Sequence, residues 1–248
     1  MSDDNEIVCG LHAARIALAS APEQVLEIWV LDSKRETRSI RELLRDKLAE
    51  VQWVTRPVLD KLSGYQRHQG IVLRRRRSSL TSTDIESLLS FSNAESPLFL
   101  VLDGVQDPHN LGACLRTADA AGVRAVILPK DRAVSVNATV SKVAAGAAES
   151  VPVIEVINLS RVLDQMRDAG IWIIGTTDSA SESLYSVDLC RPLALVMGAE
   201  GKGLRENTAK HCDLLVNLPM TGVVESLNVS VATGICLYEA LRQQQAGH

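Results

Sequence analysis

The 248-residue sequence predicts an α/β protein, with a C-terminal parallel-sheet domain preceded by a smaller α/β domain. Three observations point there. From residue 97 onward, short continuous apolar runs alternate with stretches of helical spacing, as in parallel strands covered on both faces. Residues 78–96 are dominated by serine and threonine and read as a linker. Residues 1–77 alternate helix and strand signals of their own, enough for a unit near the lower size limit of a self-sufficient core.

In the first domain, Leu11, Ala14 and Leu18 recur at helical spacing, and Pro22 marks a turn before the strand Glu27–Leu31. A charged helix over about Thr37–Glu50 places Ile40, Leu43, Leu44 and Leu48 on one face. Val51–Val54 reads as a strand, Pro57 opens a helix, and Gly70–Leu73 is the last strand. Within the linker, one short helix is expected around Asp84–Leu89, capped by Ser82 or Thr83.

The second domain, 97–248, offers strands at Leu98–Leu102, Ala125–Leu128, Val151–Val156, Ile171–Ile174, Leu193–Met197 and Leu214–Leu218. Helices are expected at Leu111–Ala121 and Asn137–Ala148, and a final one from about Ser226 to Gln244. That last helix is apolar around much of its circumference and must be buried, within its domain or against another subunit.

Bulk properties narrow the function classes. Apolar residues make up 46% and charged residues 23%, the balance of an ordinary globular protein, with no apolar run near membrane-spanning length. The N-terminus is acidic and lacks the basic start and apolar core of a signal peptide, so a cytoplasmic location is expected. Five cysteines (Cys9, Cys114, Cys190, Cys212, Cys236) form no CxxC pair, which predicts reduced thiols and no metal site. Formal charge is −4, yet residues 1–77 hold 14 Lys/Arg against 11 Asp/Glu, while 78–248 hold 12 against 19. The basic first part ends in Arg74-Arg75-Arg76-Arg77, suited to phosphates or equally to a solvated strand end.

Ligands of open parallel sheets bind beyond the carboxyl ends of the strands, and here several such ends are chemically distinctive. Asp103 to Gly112 leads into a helix carrying Asn110 and Arg116. An arginine on a helix of small apolar residues is costly to place unless it meets an anion, either an internal partner such as Asp119 or Asp103, or a ligand. Gly198-Ala-Glu-Gly-Lys-Gly203 is neither a dinucleotide fingerprint nor a P-loop, but its glycines let backbone approach a flat ligand. Gly175-Thr176, Leu218 to Gly222 and the helix start at Ser226 to Ser230 add small polar groups, and Ser226 or Asn228 could simply cap the last helix. Together these loops suit an adenosine-sized ligand.

The motifs Asn110-x-Gly112-x-x-x-Arg116-x-Ala118, Leu195-Val-Met-Gly198-x-Glu200-x-x-Gly203-Leu204 and Leu218-Pro-Met-x-Gly222-x-x-x-Ser226-Leu-Asn-Val-Ser-Val-Ala232 resemble, in order and spacing, the three motifs of the SpoU/TrmH (SPOUT) family of RNA 2′-O-ribose methyltransferases. The N-terminal part is similar to the family's ribosomal-protein-L30-like RNA-binding domain through Gly10-Leu-His-Ala13 and His68-Gln-Gly-Ile71. Asp103-Gly-Val-x-Asp-Pro-His-Asn110 brings the resemblance nearest to the branch acting on guanosines of bacterial 23S rRNA.

The resemblance implies a C-terminal trefoil knot, a homodimer whose partner completes the active site, and S-adenosylmethionine as cofactor. It implies that Gly198, Leu218 and Leu227 hold the cofactor largely by backbone, with Thr176, Met220 and Ser226 nearby. Arg116 would stabilise the 2′-oxygen, Asn110 would orient the ribose or its phosphate, and Glu200 would shape the site or pair with a cation. Asn228 would contact substrate or fix the loop. His68 and Arg74–Arg77 are candidates for RNA contact, His68 equally for a core histidine. A nicotinamide dehydrogenase is disfavoured by Asp-Gly-Val-Gln-Asp after the first strand of the sheet domain. A tRNA methyltransferase and a non-catalytic RNA-binding assembly protein remain as alternatives.

Overall fold

The computed structural model describes residues 5–32, 37–45, 50–65, 67–76, 82–92, 95–199, 201 and 203–246, so Arg77 and Glu200 lie outside the described residues. The chain divides into two compact units, Met1–Ser78 and Ser79–His248.

The first unit runs β1 (Asn5–Cys9), α1 (Leu11–Ser20), β2 (Val25–Leu31), α2 (Thr37–Leu43), β3 (Val51–Val54), α3 (Arg56–Leu62) and β4 (Ile71–Arg76). Its sheet has the order β1-β4-β2-β3, with β4 antiparallel to both neighbours and β2 parallel to β3. Strand alternation sends Ile71 and Leu73 to one face, against Val8, Ala14, Ala17, Ile28, Val30, Ile40 and Leu44. Val72 points to the other face, with Trp29 and Leu59. The edge strand β1 was not expected from the sequence. Its apolar stretch, Ile7-Val8-Cys9, is short and only Val8 of it is buried, while Glu6 lies directly opposite Arg75.

The two stretches that resemble the RNA-binding domain meet at the entry to β4. Gly10, at φ 99°, donates its N–H to Ile71 O at 3.2 Å, and the Gln69 side-chain oxygen accepts from Leu11 N at 3.2 Å, serving an N–H of the first turn of α1. Between them, His68 is buried. Its Nδ1 accepts from Gly70 N at 3.0 Å, so Nε2 carries the proton and donates to Asp60 Oδ1 at 2.9 Å. Both ring nitrogens are thereby engaged inside the unit.

The arginine block is not one uniform cationic patch, because alternation splits it. Arg75 is buried and pairs through Nε with Glu6 Oε1. Arg74 Nη2 lies 2.7 Å from Glu27 Oε2, its guanidinium 5.9 Å over the Trp29 ring, whereas Arg76 is exposed.

The second unit runs α4 (Ser82–Leu89), β5 (Leu98–Asp103), α5 (Pro108–Ala120), β6 (Ala125–Pro129), α6 (Ala138–Ala144), α7 (Ala147–Ser150), β7 (Val153–Val156) and α8 (Leu159–Asp168). It continues with β8 (Trp172–Thr176), β9 (Glu182–Ser183), β10 (Leu193–Gly198), α9 (Glu206–Lys210), β11 (Leu214–Asn217) and α10 (Val229–Ala246). Among the described residues the strands form one parallel sheet in the order β7-β6-β5-β10-β8-β11-β9. One face packs Leu98, Leu100, Leu102, Leu195 and Met197 under α5, α6 and α10. On the other, Phe99, Val101, Ile173, Ala194 and Val196 lie under α8.

Three local departures from the expected elements have physical causes. The Ser-rich stretch contributes to the core, since Ile85 of α4 is buried among Phe99, Val101 and Ile127, with Leu88, Leu89 and Phe91 packed beside it. The helix expected over 137–148 breaks into α6 and α7, where Ala145 and Gly146 take left-handed conformations at φ 54° and 102°. The last helix starts at Val229 rather than Ser226, because it is Asn228 that accepts from Ser230 N at 3.0 Å.

All five cysteines are free thiols, and burial pushes Cys212 and Cys236 up to about 12 and Cys9 to about 11. Among the described residues no helix is long and apolar enough to cross a membrane.

Arg75→Glu places a buried carboxylate against Glu6 and should cost about 2–3 kcal/mol of stability, with Glu6 still 24% exposed. Arg76→Glu should leave the denaturant midpoint within about 0.5 kcal/mol of the unaltered protein. Equal denaturation midpoints for the two variants would contradict the split of the block.

Candidate active site

The parallel register aligns four strand ends on one edge. Gly198 of β10 pairs with Asp103 of β5, Val196 with Gly175 of β8, and Thr176 with Val216 of β11. Gly198, Thr176 and Leu218 thus follow or end three neighbouring strands, and the helix carrying Asn110 and Arg116 begins just after the fourth. This is the crevice in which an open parallel sheet takes its ligand.

The glycine-rich loop after β10 is a tight reversal. Ala199 and Gly203 exchange backbone hydrogen bonds of 3.1 and 2.9 Å, and Gly201 and Gly203 adopt φ 71° and 63°. A Cβ on Gly198 would lie 2.2–2.4 Å from the Gly203 and Leu204 backbone, so only glycine lets the returning chain cross the strand end. Thr176 donates from Oγ1 to Val196 O at 3.3 Å, which ties β8 to β10 at the same level. Leu218, Met220 and Leu227 are half-buried on the loops beyond β11, and Ser226 is exposed. Backbone carried by close-approaching loops, half-buried apolar side chains and a threonine hydroxyl fit a flat, partly polar group such as an adenosine.

Beside this pocket stand the polar side chains. Asp107 caps α5 by accepting from His109 N at 2.9 Å, and α5 then presents Asn110 inward and Arg116 to solvent. Gly112 is a packing glycine: a Cβ there would meet Val143 Cβ at 2.6 Å and Val140 O at 2.9 Å, which is how closely α5 and α6 approach. On its other side α5 packs against α10, Cys114 Sγ lying 3.6 Å from Thr233 Oγ1. That packing brings the start of α10 to the start of α5, and Asn228 Nδ2 donates to Asn110 Oδ1 at 3.0 Å. The capping bond from Ser230 N fixes which end of the Asn228 amide is oxygen, hence that its NH2 faces Asn110.

Both internal partners considered for Arg116 are engaged elsewhere. Asp119 accepts from Ser150 Oγ, and Asp103 faces Arg205, its Oδ2 taking the Arg205 backbone N–H at 3.2 Å. Among the described residues Arg116 makes no ion pair, and its guanidinium is exposed on α5, six residues beyond Asn110. The structure therefore joins Asn110 and Asn228 at the starts of α5 and α10, with Arg116 farther along α5; Glu200 lies outside the described residues.

Sequence reasoning overlooked the Asp103–Arg205 pair. Its only sequence signal is an acidic residue ending an otherwise apolar strand.

Comparison with known proteins agrees with this geometry. Residues 97–238 match the SpoU rRNA Methylase family, and residues 7–79 match the RNA 2′-O ribose methyltransferase substrate-binding family. The chain belongs to the SpoU rRNA methylase family. It is 48% identical over 245 residues to the 23S rRNA (guanosine-2′-O-)-methyltransferase RlmB of Shewanella oneidensis, covering 97% of this chain and 98% of the relative. To the protein of the same name from Escherichia coli K12 it is 47% identical over 243 residues, 97% of this chain and 99% of the relative. Among solved structures, the SpoU methyltransferase AviRb from Streptomyces viridochromogenes in complex with AdoMet superposes with a TM-score of 0.83 at 25% identity, over 99% of this chain and 92% of that one.

Gly198→Ala should lower stability by about 1–3 kcal/mol, because the obstructing atoms are backbone and cannot rotate away. Gly222→Ala, with nothing within 4 Å of the added Cβ, serves as the neutral control in the same thermal melts. A Gly198→Ala protein as stable as that control would rule out the close crossing.

Proposed function

We propose that this chain transfers a methyl group from S-adenosylmethionine to the ribose 2′-hydroxyl of a guanosine in 23S rRNA. The observation that carries the reading is the exposed Arg116 guanidinium, which makes no ion pair among the described residues and lies on the same helix as Asn110, itself bonded to Asn228. Near-half identity along the whole length to enzymes named for this reaction supports the substrate. When bound, the cofactor supplies an electrophilic methyl group on a sulfonium.

The residues of the chain then do the rest by position and charge. Gly198, Thr176, Leu218, Met220, Ser226 and Leu227 line the cofactor's place, and Asn110, steadied by Asn228, orients the ribose. Arg116 stabilises charge developing on the 2′-oxygen. It does not act as a base, since a guanidinium keeps its proton under physiological conditions. The transfer would be in line, the 2′-oxygen taking the methyl group that the cofactor would supply, with Arg116 balancing the charge on that oxygen as the hydroxyl proton departs. Glu200 is assigned to shaping the same site.

In the first unit, the RNA contact is assigned to Arg76 and the outward edge of Arg74, with Arg77 continuing the block. His68 acts by holding the turn that places β4, since its ring has no free nitrogen to offer a phosphate. We further propose a homodimer in the cytoplasm. Exposed Val223, Val224, Val231 and Tyr238 near the site and along α10 support a partner there, because such apolar groups otherwise face water. A trefoil knot is proposed with it, supported by β10 entering between β5 and β8 after β8 and β9 have been laid down.

Nucleoside mass spectrometry of 23S rRNA from cells lacking the gene should show one 2′-O-methylguanosine lost. It should be restored by the unaltered chain and not by Arg116→Ala. In vitro, Arg116→Ala should lower turnover by roughly 10²-fold or more with cofactor affinity near normal. Unchanged 23S rRNA with loss from the tRNA pool would reassign the substrate; no loss in either would refute methyl transfer.

A further inference from the structure

Asp103 is the last residue of β5, and its side chain is fully buried at the strand end. Its Oδ2 accepts the Arg205 backbone N–H at 3.2 Å, while Arg205 Nε stands 3.2 Å from Oδ1. That second approach is an ion-pair distance without hydrogen-bond alignment, and among the described residues Oδ1 accepts no hydrogen bond. Arg205 Nη2 reaches onward to Asp131 O at 3.4 Å, beyond the end of β6. A Cβ on Gly104 would lie 3.3 Å from the same Nη2, so glycine makes room for the guanidinium to pass. One side chain therefore ties the exit of the glycine loop to the ends of β5 and β6.

Two further bonds make this corner a single body. Val134 N donates to Val105 O at 2.9 Å, and Gln106 Nε2 to Arg132 O at 3.3 Å. From Gly104 the chain runs directly to the Asp107 cap, Asn110 and Arg116. Behind Arg205 lies Leu204, whose backbone presses on Gly198. A buried carboxylate facing a partly exposed arginine is an expensive way to fill a strand end, and an apolar pair of equal volume would stabilise the fold as well or better. What the pair adds is fixed geometry between the two sides of the crevice.

We infer that Asp103 and Arg205 are positioning residues, holding the glycine loop in register with the loop that leads to Asn110 and Arg116. This rests on the proposed methyl transfer. Their effect falls on the alignment of the two bound reactants, not on the binding of either. Misplacement of reacting atoms by about 1 Å is enough to cost about 10²-fold in rate.

The test compares Arg205→Met, Asp103→Asn and the double variant Asp103→Asn/Arg205→Met. Single-turnover methylation of a 23S rRNA fragment, cofactor affinity and thermal melting are followed in each. Arg205→Met strands the buried carboxylate, so both melting temperature and turnover should fall, turnover by about tenfold or more. RNA KM and cofactor Kd should stay within about twofold. In the double variant no buried charge is stranded, and the melting temperature should recover while turnover stays low. Turnover recovering together with stability, or Arg205→Met turning over normally, would overturn the inference and leave the proposed function standing. No methylation by the unaltered protein would instead overturn the function and the inference with it.

Discussion

The parallel pairing of β10 with β5, in register from Leu193 opposite Leu98 to Gly198 opposite Asp103, is the constraint on which the site depends. It places a glycine and a buried carboxylate side by side at one sheet edge. The glycine lets the loop after β10 double back across the strand end, and the carboxylate receives that loop as it leaves. A one-residue slip would turn the apolar side chains of β10 to the opposite faces of a sheet packed on both sides, so the register is strongly fixed by the core itself. Site geometry is thus inherited from hydrophobic packing several residues away.

Helix packing supplies the second half. Close approach of α5 to α6 at Gly112, and of α5 to α10 around Cys114 and Thr233, sets where the two helix starts meet. Asn110 and Asn228, 118 residues apart in sequence, become hydrogen-bond partners by that route. Arg116 lies farther along the same helix, exposed and without an ion pair among the described residues.

Much of this was legible in the sequence, and the failures have physical reasons. The sheet strands showed themselves because both faces are buried, which makes their apolar runs continuous. The edge strand β1 did not, since its apolar stretch is only Ile7-Val8-Cys9 and Val8 alone of it is buried. Arg74 to Arg77 looked like a single basic block because a linear string hides strand alternation, which buries Arg75 and exposes Arg76. Gly112, visible in the sequence only as part of a motif, serves the close packing of α5 on α6. Contacts between distant strand ends, such as Asp103 with Arg205, leave almost no trace in one sequence.

Asn228 holds two posts at once, as cap of the last helix and as the partner that steadies Asn110. Helix ends fray more readily than a fold melts, because opening one turn exposes little apolar surface. Opening of the first turn of α10 therefore also breaks the bond that Asn228 makes to Asn110. Integrity of the Asn110–Asn228 bond is thus set by the opening free energy of one helix turn rather than by the stability of the whole fold.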